Sequence, residues 1–222
     1  FLPPAASAQE PAVPGICKAF ATGKATRLAG LWGAYPFAHE APITEVVFTP
    51  DGKGAVSTDA DGWVKVWNLA HPIPTETRRF RVPKTQVSSL ALARDGKTAV
   101  AGGADAKVYV LDLAEGKVVK TLEGHATVVA SVAILPDATL ALSGSWDKSA
   151  RLWDLASGKE RRSFIGHADP ITTVAFSPDG KTVLTASRDT TVRIWDTATG
   201  STRIKLEGHE EHVNAAAWSP DG

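Results

Sequence analysis

The residues from Gly166 to Asp196 open with Gly166-His167, close with Trp195-Asp196, and hold Ser177-Pro178-Asp179-Gly180 between two alternating apolar runs. The same marks return along most of the chain. The dipeptides Trp67-Asn68, Leu111-Asp112, Trp153-Asp154 and Trp195-Asp196 advance in steps of 44, 42 and 42 residues. Self-similarity at a period of about 40–45 residues is the mark of a repeat architecture, and it constrains the fold more than any single site does.

Laid over one another, the units share a plan. Each begins with a loop carrying histidine: Ala38-His39, Gly124-His125, Gly166-His167 and Gly208-His209. An alternating strand follows, as in Ile43 to Phe48, Val128 to Ile134 and Ile171 to Phe176. Next comes a turn: Pro50-Asp51-Gly52, Arg94-Asp95-Gly96, Pro136-Asp137-Ala138, Pro178-Asp179-Gly180 and Pro220-Asp221-Gly222. Proline presets the backbone angle, aspartate bonds its own backbone, and glycine accepts a positive φ. A second strand ends near Ser57, Ala101, Ser143 and Thr185, and a third at the dipeptides above. A fourth, such as Thr202 to Leu206, leads into the next histidine loop. The units divide at about residues 36–79, 80–121, 122–163, 164–205 and 206–222. Four short antiparallel strands per period leave little room for helix. The predicted class is therefore all-β, and each small sheet must pack face to face with its neighbours.

Lysine plus arginine equals aspartate plus glutamate, for a formal charge of zero. That balance argues against a general nucleic-acid or anionic-membrane binder. No apolar run reaches the roughly 18 residues of a spanning helix. Cys17 is the single cysteine, which rules out an internal disulfide framework. The Ala6-Ser7-Ala8 triplet after Phe1-Leu2 resembles the end of a secretory signal peptide, so residues 1–8 are expected to be its remnant and the protein to be exported to a periplasm or secreted. The alternative is a Pro/Ala-rich linker in a cytoplasmic protein. Residues 9–35 read as linker or lead-in strand, and the chain, which lacks methionine, reads as a fragment of a longer protein.

The Gly-His, Ser-Pro-Asp-Gly and Trp-Asp marks together resemble the WD-repeat β-propeller family across roughly residues 36–222. The resemblance implies four-stranded antiparallel blades arranged radially about a channel, with about four blades plus the start of a fifth and a ring incomplete over these residues. It also implies a buried tetrad in each blade: His39, Ser57, Asp61 and Trp67; then His125, Ser143, Asp147 and Trp153; then His167, Thr185, Asp189 and Trp195. In the second unit the matching positions hold Pro83, Ala101 and Leu111 beside Asp105, so a weaker internal network is expected there.

A recurring Ser, His and Asp invites comparison with a hydrolase triad. A triad needs one exposed nucleophile and an oxyanion hole, whereas here the set repeats and always includes a tryptophan, whose indole is a donor only. The structural role is favoured, and no catalytic residue is assigned. The histidines fall in separate units, and His71 and the His209/His212 pair lack the further ligands of a zinc site, so neither metal nor cofactor is expected. The remaining role is partner recognition. The resemblance implies that the histidine loops and the aspartate turns gather on one face. Trp146 and Arg188, beside the tetrad, are of the types enriched at interface hot spots, while the matching Ala60 and Ala104 offer no such handle. Glu40, Asp169, Glu210, Glu211 and His212 follow the histidine loops and would form a partly acidic rim. The function expected is a non-catalytic scaffold for protein–protein interaction. One alternative is a docking or regulatory domain of a larger exported enzyme or electron-transfer protein, whose catalytic or haem domain lies beyond residue 222. Another is small-molecule or cofactor binding in the central channel.

Overall fold

A computed structural model describes residues 39–70, 74–83 and 85–222. The Ala6-Ser7-Ala8 triplet, Cys17, the lead-in segment and His71 lie outside them. The described chain is all-β, with sixteen strands in four antiparallel sheets. The first sheet contains β1 (Ile43–Phe48), β2 (Gly54–Asp59), β3 (Trp63–Asn68) and β4 (Thr75–Arg81). The second contains β5 (Val87–Leu92), β6 (Thr98–Gly103), β7 (Lys107–Asp112) and β8 (Lys117–Glu123). The third contains β9 (Val129–Ile134), β10 (Leu140–Ser145), β11 (Ser149–Asp154) and β12 (Lys159–Ile165). The fourth contains β13 (Ile171–Phe176), β14 (Thr182–Ser187), β15 (Val192–Asp196) and β16 (Thr202–Leu206). Each sheet is a simple meander, its strands paired in chain order.

Sheet packs on sheet through alternating side chains. Val56, Val64 and Phe80 meet Val87, Ala99 and Leu111 of the next sheet. Val100, Val108 and Leu122 meet Val129, Ala141 and Trp153. Leu142, Leu152 and Phe164 meet Ile171, Val183 and Trp195. The Phe164 and Trp195 rings lie 5.8 Å apart. After β16, Val213, Ala216 and Trp218 lie on Leu184, Ala186 and Val192 in the same manner. This last segment was expected to form a strand, and it packs where one would. Among the described residues it has no neighbouring strand to complete a ladder, and its Val213 N–H bonds to Ser187 O instead. The inner strands β1, β5, β9 and β13 follow one another, and the sheets do not close into a ring.

Polar links repeat at the same joints. On the inner strands, Ser89 and Ser131 hydroxyl oxygens accept the N–H groups of Val132 and Val174 in the next sheet. Glu45 fills this position in the first sheet, where the Leu90 N–H and the Ser89 hydroxyl favour its charged form. Burial nevertheless pushes its carboxyl above the usual range. On the outer strands, Arg78, Lys120 and Arg162 each reach a turn carbonyl of the following sheet: Glu115 O, Leu155 O and Thr199 O. In the fourth sheet the same register position holds Ile204, which is exposed.

The turn between the second and third strands places one residue of each sheet at positive φ: Gly62, Ala106, Lys148 and Thr190. A β-branched residue at φ 68° crowds its own backbone. Replacing Thr190 with glycine is expected to stabilise the protein by about 1 kcal/mol, read as a raised urea midpoint. Phe164→Ala is expected to cost about 3–5 kcal/mol in the same measurement, because it opens a cavity between two sheets.

Candidate functional site

In the third sheet, β10 presents Ser143 and β11 presents Trp153 on one side of the sheet, and the entry loop lays His125 over them. The Trp153 indole N–H donates to Ser143 Oγ at 2.8 Å. The Ser143 hydroxyl lies 2.7 Å from His125 Nε2, and His125 Nδ1 lies 2.8 Å from Asp147 Oδ2. One assignment of protons satisfies every member: Ser143 donates to Nε2, and Nδ1–H donates to the carboxylate. The Asp147 carboxylate also accepts the Ala126 N–H and the Ser149 hydroxyl and N–H. The fourth sheet repeats this with Trp195, Thr185, His167 and Asp189, at 2.8, 2.7 and 2.8 Å. Thr191 takes the role of Ser149 there.

The first sheet differs from the expected assignment. Trp67, Ser57 and His39 form the same chain, but His39 Nδ1 meets Asp59 Oδ2 at 2.6 Å, not Asp61. Asp61 is exposed, and its backbone N–H donates to Asp59 Oδ1. The cause is local. Where the other two sheets carry Ser149 and Thr191 to hold the turn aspartate, this one carries Trp63, which has no hydroxyl. Where they carry Ser145 and Ser187, it carries Asp59. That difference was visible in the sequence, but alignment by constant spacing passed over it.

In the second sheet, Ala101 and Leu111 replace the serine and tryptophan and are buried. Asp105 is not left alone: the Tyr109 hydroxyl donates to it at 2.6 Å, and its own N–H donates to Thr85 Oγ1. Burial, with Asp105 adding to it, pushes the Tyr109 hydroxyl well above its usual range. The sheet has exchanged the tetrad for a tyrosine–aspartate pair, which sequence spacing did not reveal.

The bonding order Ser–His–Asp matches that of a hydrolase triad, but access does not. Ser143 and Thr185 are 0% exposed, and each oxygen already accepts an indole N–H. A substrate carbonyl could not reach them. Close packing extends to the entry glycine, where a Cβ on Gly124 would lie 2.9 Å from Arg151 Nη1 and 3.1 Å from the Trp153 ring. Among the described residues, no group of three or more His, Cys, Asp or Glu side chains is placed to hold a metal ion.

These networks tie each entry loop to the following aspartate turn, so the two loop types share one face. Trp146 N–H donates to Val128 O and Arg188 N–H to Pro170 O, as Ala60 and Ala104 do to Pro42 and Gln86. On this face Trp146 is 44% exposed, and the Arg188 guanidinium lies 5.2 Å from its ring centroid. His212 Nδ1–H donates to Arg188 O at 2.6 Å, and Lys148 Nζ donates to Ala168 O and lies 3.8 Å from Asp169 Oδ1. Trp146, Arg188 and His212 thus come together across three successive units. Glu40, Asp169, Glu210 and Glu211 are exposed, and Glu40 sits at the first sheet's entry loop, away from that cluster. His209 is exposed, with no hydrogen bond among the described residues.

The family model described as "WD domain, G-beta repeat" matches residues 35–68, 74–112, 116–154, 158–196 and 200–222. The chain belongs to the WD40 family. Among solved structures, one entitled "Structure of U3-55K" is similar with a TM-score of 0.72 at 24% identity, over 80% of this chain and 55% of that one. At this identity the likeness is one of fold, and this WD40 chain spans little more than half of that neighbour's length.

Burial pulls His125 and His167 below the usual imidazole range, against the opposing pull of Asp147 and Asp189. Burial pushes the Asp147 carboxyl up, but the Ser149 hydroxyl, the Ala126 N–H and His125 outweigh it and hold it at about 2. Asp189 is held down in the same way by Thr191, Ala168 and His167. All four groups have folded-state values below their unfolded ones, so the stability they supply is present at high pH and lost on acidification. The melting temperature is expected to fall once the pH drops below 6.5, as unfolded histidines take protons, and to fall again between 3.8 and about 2. A melting temperature that rises on acidification through 6.5 would contradict this. Asp59→Ala is expected to cost about 1–3 kcal/mol by leaving buried His39 without its acceptor, while Asp61→Ala stays within about 0.5 kcal/mol. Calorimetry of the two variants separates them.

Proposed function

We propose that this WD40 chain is a non-enzymatic platform that binds a protein partner through the face carrying the entry loops and aspartate turns. The observation that carries the reading is Trp146, an indole almost half exposed and in cation–π contact with Arg188 from the adjoining sheet. Exposed tryptophan and arginine at the centre of a fixed surface are the residue types that dominate binding energy at interfaces. The hydroxyls and imidazoles that would suggest catalysis are used up inside the sheets. Trp146 and Arg188 are free of that duty, since neither belongs to a tetrad.

The test compares the native chain with the Trp146→Ala, Arg188→Ala double variant as baits in lysate of the source cells. The double variant is expected to keep its melting temperature within a few degrees and to lose at least one partner that the native chain recovers. Equal recovery of every partner by both baits would remove this face from consideration.

A further inference from the structure

The site on the loop face also carries a more specific chemistry, which rests on the platform reading above. Arg188 is held at three points. Its N–H donates to Pro170 O, its carbonyl accepts the His212 Nδ1–H, and its guanidinium carbon lies 5.2 Å from the Trp146 ring centroid. A cation–π contact is an attraction of the whole charge to the ring face and uses none of the guanidinium's N–H groups as hydrogen-bond donors to another side chain. Those groups have no hydrogen-bond acceptor and no carboxylate within ion-pair distance among the described residues. Arg78, Arg81 and Arg162 donate to backbone carbonyls, and Arg79, Arg151 and Arg203 are paired with acids. Arg188 is thus exposed, positioned and unpaired beside an exposed indole.

We propose that Arg188 and Trp146 together form a subsite for one side-chain carboxylate, from Asp or Glu, in a peptide segment of the partner, with a large apolar side chain of that segment resting on Trp146. A planar carboxylate matches the guanidinium edge with two parallel bonds. The surroundings narrow the choice. Lys148, in the same turn as Trp146, is already engaged with Ala168 O and Asp169. Glu210 and Glu211 precede His212 and add negative charge to the rim. One free guanidinium next to acidic residues suits a single negative charge. It disfavours both a phosphate, which carries nearly two charges, and an extended acidic tract, which the rim would repel.

The test uses three matched synthetic peptide libraries with blocked termini, identical except for one central residue: Glu, Gln or phosphoserine. Each holds Leu or Phe next to that residue and mixed neutral residues elsewhere. The native chain is expected to retain the Glu library at least about tenfold over the Gln library and over the phosphoserine library. Arg188→Lys should lose most of that preference by breaking the paired geometry, and Arg188→Gln all of it, at unchanged melting temperature. Trp146→Ala should weaken retention of the Glu library, with Trp146→Phe restoring part of it. Equal retention of the Glu and Gln libraries, retention of neither, or preference for phosphoserine overturns the carboxylate subsite. None of these results alone removes the platform reading, which falls only if the double variant recovers every lysate partner that the native chain does.

Discussion

The burial of one sheet's face against the next is the interaction on which everything else here depends. A four-stranded meander of about 38 residues has two apolar faces and too little chain to cover either, so it has no stable existence alone. The fold solves this by succession. Phe80, Leu122 and Phe164 come from the outer strands of the first three sheets, and each is covered by the sheet that follows. Leu206 stands at the same register position in the fourth sheet and is 49% exposed, because the apolar residues among 213–218 pack on β14 and β15. The difference between a buried Phe164 and an open Leu206 measures what a neighbouring sheet supplies.

Polar groups follow the same succession rather than competing with it. A tryptophan placed at a sheet joint brings an indole N–H that must be paired, and the serine or threonine oxygen provides the acceptor. That hydroxyl in turn needs an acceptor, which His125 or His167 supplies, and the second imidazole nitrogen needs the aspartate. The second sheet shows that the logic can be run in reverse. With Leu111 in place of tryptophan there is no indole to satisfy, so Ala101 and Pro83 need offer nothing. Only Asp105 remains, and Tyr109 answers it. The substitutions in that sheet are coordinated, and each follows from the loss of the one donor.

The period, the strand order and the tetrads of the third and fourth sheets were legible in the sequence because they depend on local pattern: alternation, turn residues and fixed spacing. What escaped were contacts between positions that do not keep a spacing. Asp59 took the place of Asp61 because two further positions, 59 and 63, differ from their counterparts, and only three-dimensional competition for His39 shows which acid prevails. The Tyr109–Asp105 pair and the inner-strand bonds of Ser89 and Ser131 were missed because they join residues chosen by the neighbouring sheet. Trp146 and Arg188 could be singled out by type and by position beside the tetrad. Their cation–π contact across two sheets, and the hold of His212 on Arg188, could not.

The tetrads and the loop-face cluster are linked by rigidity. Each tetrad ties an entry loop to the following turn through buried, fully paired groups, so the residues between them are held in place before any partner arrives. Arg188 is the extreme case, with both backbone groups bonded and its side chain already lying on an indole. Ordering a free arginine on binding would cost about 0.5–1.5 kcal/mol in lost rotamers, and here much of that cost is met during folding. A buried bonding network that resembles a catalytic triad therefore bears on function without performing chemistry: it keeps a few exposed side chains still.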